Sequence, residues 1–312
     1  MLLNRSLRAV GLACLALYTA TVTAGDYSRL VVFGDSLSDP GNGYALLGTQ
    51  SVPPYDGLDM FLVPSAPYAK GGHHLSNGAT WIEQLGQTLK LNRSNGPAWR
   101  NPGVFTNYAV DAARARDDGL NVNLGDQVAA FAEQETGELL DGALVVLWVG
   151  SNDVRDAALS GGDPGIIAAA ITAIQDNILV LYGMGARDFL IGNSPDIGLI
   201  PSIRMADVFF PGLAAGATAL SVGFNDALTS LLDALESGLP GVSFTRLDSF
   251  SFLQDAVAGN LGLVNTMDAC IMPGVPPYSC RKPDDYLFWD GVHPTKAGHA
   301  LLAEYAHSLL AP

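Results

Sequence analysis

The run Leu144-Val145-Val146-Leu147-Trp148-Val149 constrains the fold more than any other part of the chain. Six consecutive apolar residues leave no polar face for water. A strand of this kind is buried on both sides, which requires a parallel sheet covered by helices. Three more candidate strands follow the same logic: Leu30 to Phe33, Phe189 to Gly192, and Val242 to Leu247. Between them the apolar period changes to that of a helix. Ile167, Ile171, Ile174, Ile178 and Leu181 form one such stripe. Ala217, Leu220, Phe224, Leu228, Leu231 and Leu235 form another. A last helix is expected from about Thr295 to Leu310, with Ala297, Leu301, Tyr305 and Leu309 inward. Strands alternating with helices predict an α/β chain, three layers deep in the order α/β/α, around a central, mostly parallel sheet.

Two segments break this rhythm. Gly41 to about Pro102 is rich in Gly, Pro, Ser and Asn, and reads as loops around one helix, Ala79 to Leu89. Ser249 to about Pro283 reads similarly. It carries Cys270 and Cys280, a pair expected to form a disulfide in an exported protein.

Export is expected from the first 24 residues. Arg5 and Arg8 precede an apolar run from Ala9 to about Tyr18, and small residues follow up to Gly25. This is the pattern of a cleavable secretory leader, and the run is short for a membrane span. No later segment reads as long enough to be one. The reading is a signal peptide over residues 1–24, then a single domain over 25–312, secreted or periplasmic. Cys14 departs with the leader. The net charge is −15. Without the leader, 14 basic residues face 31 acidic ones, a balance of −17. Such a surface disfavours nucleic acid, which needs cations for its phosphates, and it disfavours electrostatic docking on anionic lipid.

Three short blocks carry the chemistry, two of them at the ends of expected strands. Phe33-Gly34-Asp35-Ser36-Leu37-Ser38-Asp39 follows the first strand. In open α/β sheets ligands gather at C-terminal strand ends, so Ser36 is the candidate nucleophile, in need of a base. Asp39 and Asn42 are expected to brace its turn. Trp148-Val149-Gly150-Ser151-Asn152-Asp153 closes the second strand and offers the Asn152 amide as an oxyanion donor, with Asp153 as a helix cap. Phe288-Trp289-Asp290-Gly291-Val292-His293-Pro294-Thr295 places an acid and an imidazole three residues apart before the last helix. No metal site or phosphate loop is evident: His73 and His74 are adjacent and read as loop residues. His299 and His307 read as surface or packing residues.

The blocks GDSLSDPGN, NYAV, GSND and DGVHPT, in this order, resemble those of the GDSL lipase/esterase family, the SGNH hydrolases. The resemblance is greatest to the secreted bacterial lipase, phospholipase and haemolysin-like branch. It implies a flavodoxin-like SGNH fold and a cofactor-free ester hydrolase working as a triad of Ser36, Asp290 and His293. It also implies an oxyanion hole from Ser36, Asn152 and a backbone N–H of a glycine that here is Ala112. Family members like this one usually read Asn-Tyr-Ala-x-Gly-Gly-Ala, whereas this chain reads Asn107-Tyr108-Ala109-Val110-Asp111-Ala112-Ala113. If that position needs positive φ, alanine is strained by roughly 1–2 kcal/mol. Asp111 would oppose an oxyanion if it pointed inward, so it is expected to turn toward Arg114 or Arg116. A different reading gives Asp111, with the Trp148 and Trp289 ring faces, to a cationic alcohol such as choline. The expected partner is a lipid, phospholipid or short-chain acyl ester, met by a monomer. Choline-ester or polysaccharide O-acetyl hydrolysis is the alternative, and a non-catalytic binding domain on the same scaffold the rival.

Overall fold

The computed structural model describes residues 27–91, 94–134 and 140–311. The leader and Cys14 lie outside the described residues. Four strands form one sheet: β1 (Arg29–Gly34), β2 (Ala143–Trp148), β3 (Asp188–Gly192) and β4 (Ser243–Leu247), in that spatial order. Every neighbouring pair is parallel. Beyond β1 an extended segment continues the sheet without forming a full strand. The Val32 N–H donates to the Thr106 carbonyl at 2.9 Å, and the Tyr108 N–H to the Val32 carbonyl at 2.8 Å. This brings the Asn107–Ala113 block beside the nucleophile strand.

Side chains alternate along each strand between two buried faces. Leu30, Val32, Leu144, Val146, Trp148, Leu190 and Leu247 enter one apolar layer. There they meet α2 (Trp81–Thr88) and α9 (Lys296–Leu310). Val31, Phe33, Val145, Leu147, Phe189, Ile191 and Phe244 enter the other. That layer is covered by α3 (Leu124–Gln134), α4 (Ser151–Leu159), α5 (Pro164–Gly183) and α7 (Leu213–Gly238). The three-layer expectation therefore holds.

Several local expectations are corrected. The inward face of α9 is Gly298, His299, Leu302, Ala303, Ala306 and Leu310, one residue out of phase with the stripe expected. One residue is about 100° of helix rotation, and α9 uses small residues where it meets the sheet and α2. On α7, Ser221 and Leu232 are buried where Leu220 and Leu231 were expected. The Gly41–Pro102 segment holds a second short helix, α1 (Asn42–Leu47), besides α2. The Ser249–Pro283 segment is more ordered than its composition suggests. It contains α8 (Ser249–Val257) and the strand β5 (Asn265–Ala269), which pairs in parallel with β6 (Tyr286–Phe288). Cys270 and Cys280 are joined by a disulfide, S–S 2.04 Å. The Cys270 N–H donates to Phe288 at 3.0 Å, tying this segment to the approach of the Asp290 loop.

One helix also departs from the membrane expectation. By length and composition α5 could cross a membrane, with a mean hydropathy of 1.6. Here its Ala170, Ile174, Ile178 and Leu181 pack into the core.

Candidate active site

The chain turns sharply after β1, over Asp35 to Ser38, where the Ser38 N–H donates to the Asp35 carbonyl at 3.0 Å. Ser36 sits on this turn, almost buried. The turn is held from beneath by side chains far away in sequence. Gln127 acts as a strand partner, accepting from the Gly34 N–H at 2.9 Å and donating to the Gly34 carbonyl at 2.8 Å. The Trp81 indole donates to Ser38 Oγ at 3.0 Å. Asp39 accepts four backbone N–H groups, from Gly41, Asn42, Gly43 and Asp111, at 2.5–2.9 Å. Burial pushes its carboxyl up to about 6 in spite of them. Asn42 donates to the carbonyls of Asn107 and Ala109, both at 2.8 Å, and accepts from the Trp99 N–H. Asp39 and Asn42 thus fasten the nucleophile turn to the 107–111 segment.

The second arm is the loop after β6. His293 Nε2 lies 3.0 Å from Ser36 Oγ, and His293 Nδ1 lies 2.8 Å from Asp290 Oδ2. With Nδ1–H facing a carboxylate, Nε2 is left to accept the serine proton. Asp290 is fully buried and accepts three further hydrogen bonds: from the Val292 N–H at 2.8 Å, the His293 N–H at 2.7 Å and the Tyr68 hydroxyl at 2.8 Å. Burial alone would lower the His293 pKa. The Asp290 charge and hydrogen bond, reinforced by Asp111, override it, so the imidazole lies above its ordinary value. Burial first, and then Asp290, push the Tyr68 phenol far up, so Tyr68 stays a donor. Gly291 is required between acid and base. A Cβ there would meet the Phe61 carbonyl at 2.1 Å, and its N–H donates to Leu62 at 2.9 Å.

The third arm is the start of α4. Gly150, at φ 121°, allows the turn into the helix, and a Cβ there would strike Phe224 at 2.3 Å. Asn152 follows in the first turn. Its amide spends one proton on the Ala113 carbonyl at 2.9 Å, which leaves the second for a ligand. Asp153 does not cap the helix. It accepts from the Ala115 N–H at 2.7 Å and pairs with Arg116 at 2.7 Å, holding the 113–116 segment against α4. Ala112 has φ 60°, the left-handed region in which alanine is strained.

Asp111 does not turn toward the arginines. Arg114 forks onto Asp156, both contacts at 3.1 Å, and Arg116 onto Asp153 and Asp156 at 2.7 and 2.8 Å. The Asp111 carboxyl instead lies within electrostatic reach of His293, Asp290 and Arg155. Burial raises its pKa, and the His293 charge offsets part of that rise.

The two tryptophans fall differently. Trp148 lines an apolar cavity of ≈ 70 Å³ together with Ser36, Asn152, Arg155, Phe252 and Leu287. Its indole N–H is spent on the Asn193 carbonyl at 2.8 Å. Trp289 has no exposed surface and packs edge-on against Tyr68, with the chain's own Lys70 lying 5.4 Å from the ring centroid. It supplies no face to that cavity. His299 is buried on α9, and desolvation, then the His293 charge, push it down to about 3. Among the described residues no group of His, Cys, Asp and Glu has the arrangement of a metal site.

Tyr68, Gln127 and Arg155 are not visible to motif reasoning. Each acts across a long sequence separation or from a helix face that no short pattern marks.

A parallel sheet between two helical layers, with a serine, an imidazole and a carboxylate in line at its C-terminal edge and an asparagine amide beside them, defines the SGNH class of α/β proteins. The chain belongs to the GDSL-like lipase/acylhydrolase family, whose model matches residues 30–306. It is 28% identical to a phosphatidylcholine-sterol acyltransferase of Aeromonas hydrophila, covering 95% of each chain. It is 26% identical to a GDSL esterase/lipase of Arabidopsis thaliana, over 89% of this chain and 84% of the relative. An Arabidopsis protein named as an inactive GDSL esterase/lipase-like protein is also 26% identical, over 86% of this chain and 68% of the relative. An acetylxylan esterase from Geobacillus stearothermophilus superposes with a TM-score of 0.50 at 14% identity, covering 93% of this chain and 96% of that one. That likeness concerns the fold alone.

Proposed function

We propose that this chain is an exported serine esterase that hydrolyses lipid, phospholipid or short-chain acyl esters through an acyl-Ser36 intermediate. The observation that carries the reading is the continuous relay from Ser36 Oγ through His293 to Asp290, at 3.0 and 2.8 Å, beside an apolar cavity.

In this reading His293 Nε2 takes the Ser36 proton as Oγ attacks the ester carbonyl carbon. Negative charge then grows on the carbonyl oxygen and is met by the Ser36 N–H, the free Asn152 amide proton and the Ala112 N–H. The imidazolium, stabilised by Asp290, gives its proton to the departing alkoxide as the carbon–oxygen bond breaks. A water molecule then gives one proton to His293 and attacks the acyl carbon. The acid is released when Ser36 Oγ regains its proton. A disulfide beside the active loop and a strongly acidic surface are compatible with an exported, soluble enzyme.

Turnover of 4-nitrophenyl butyrate by the wild type and by Ser36→Ala tests this reading. The variant should lose at least about 10⁴-fold in kcat. Equal turnover in the variant would remove Ser36 as the nucleophile. No turnover of any ester by the wild type, with no labelling by a serine-directed organophosphonate, would favour a binding role.

A further inference from the structure

Arg155 lies three residues after Asn152 on α4, so the two side chains share a helix face. Both line the cavity beside Ser36. The two other arginines of this neighbourhood are consumed internally. Arg114 and Arg116 take up Asp153 and Asp156, the carboxylates that flank Arg155 in sequence. The Arg155 guanidinium has neither a hydrogen bond nor an ion pair among the described residues, although it is half-buried. Burial, and then the Arg114 charge, lower its pKa; the carboxyls that act against this, Asp156 first and then Asp111 and Asp35, form no ion pair with it. A half-buried cation without a protein partner has only part of its hydrogen-bonding shell filled. It is tolerated where a ligand completes it. The rest of the cavity wall is largely apolar, contributed by Trp148, Ile197, Phe252, Leu287 and Val292 among others. A single cationic fork therefore stands next to the nucleophile and the oxyanion donor.

We propose that Arg155 receives an anionic oxygen group carried by the substrate, so that the enzyme selects esters bearing a phosphodiester or a carboxylate near the scissile carbonyl. A guanidinium presents two parallel N–H donors that match either group bidentately. The N-terminus of α4 lies on the same side and adds to the attraction for negative charge. Had Arg155 served only to neutralise Asp35 and Asp111, it would be expected to stand in ion-pair contact with one of them. The proposal rests on the esterase reading above and adds the chemistry of the group attached to the ester.

Two matched substrate pairs test it. The first is dihexanoyl phosphatidylcholine against dihexanoylglycerol, both below their aggregation limits. The second is 4-nitrophenyl hemiglutarate against 4-nitrophenyl valerate. The readout is the ratio of kcat/KM, the phosphodiester- or carboxylate-bearing ester over its counterpart, in the wild type, Arg155→Gln and Arg155→Lys. In Arg155→Gln the ratio should fall by roughly 10- to 100-fold for at least one pair, and Arg155→Lys should fall between. A fall confined to the phospholipid pair puts the anion on the alcohol side, and a fall confined to the hemiglutarate pair puts it on the acyl side. Ratios that stay within about twofold of the wild type in both pairs overturn the proposal, since one charge-assisted contact exceeds that. An Arg155→Lys ratio as low as that of the glutamine variant supports the bidentate form of the proposal, because then the fork and not the bare charge is being read. If the wild type hydrolyses neither member of either pair, the esterase reading itself has failed. If neutral esters are turned over and Ser36→Ala abolishes this, that reading stands whatever Arg155 does.

Discussion

Asp39 and Asp111 are two carboxylates at one site, joined by the hydrogen bond from the Asp111 N–H to Asp39. They do opposite work. Asp39 is buried under four backbone N–H donors and points its charge at the chain itself. Its role is to fix the shape of the nucleophile turn. The Asp111 carboxyl takes none of these donors, and its charge reaches His293 and Arg155. The nucleophile side of the site is thus a scaffold with its polar groups spent. The oxyanion side keeps groups unspent: one Asn152 proton, the Arg155 fork, and a strained Ala112. Rigidity is concentrated where the attacking atom must be aimed, and unsatisfied polarity where a substrate must be met.

Damage to the two sides therefore has different signatures. Asn152→Ala should cost about 10²–10³-fold in kcat, the usual effect of removing one oxyanion donor. Its thermal unfolding should move little, because only the bond to Ala113 is lost. A large fall in Tm with modest loss of kcat would make Asn152 a scaffold residue. Asp39→Asn should do the reverse. An amide NH₂ facing the Gly43 and Asp111 N–H groups leaves buried donors unsatisfied, for a loss of about 2–4 kcal/mol in urea unfolding. Ala112→Gly is a smaller test. Relief of the left-handed strain should stabilise by about 1 kcal/mol, reduced by the greater freedom of glycine in the unfolded chain. Destabilisation would show that the methyl packs usefully. The smallest effect is expected from Asp111→Asn. An anion at Asp111 helps to raise the His293 pKa, so its removal lowers that pKa. The imidazole then stays neutral to lower pH, and the acid limb of the kcat/KM profile should move down by roughly half a unit. Movement upward, or none, would take Asp111 out of the imidazole's field.

Much of the fold is legible in the chain because it is local. The apolar strands and the helical stripes between them are patterns within windows of ten or so residues. The Ser36, Asn152 and Asp290–His293 blocks each stand beside a strand end. What escapes is whatever depends on a partner far away. The phase of α9 is set by contact with α2 and the sheet, so His299 and Ala303 turn inward although Leu301 and Tyr305 are the larger apolar groups. The orientation of Asp111 depends on how Arg114 and Arg116 are consumed by α4, some 40 residues on. Tyr68 meets Asp290 across 222 positions, and no periodicity records such a contact. Composition also misled in one place, where the Gly- and Pro-rich stretch before Pro283 folds into α8 and β5.

Gly291 has a mechanical consequence. Its backbone is pressed against Phe61 and hydrogen-bonded to Leu62, while its carbonyl accepts from the Ser202 N–H at 2.8 Å. The outer loop Asp59–Val63 and the imidazole are therefore coupled like a handle and a bolt. Phe61 leans on Phe209, which is largely open to solvent, so the loop that holds Gly291 is itself braced at the surface.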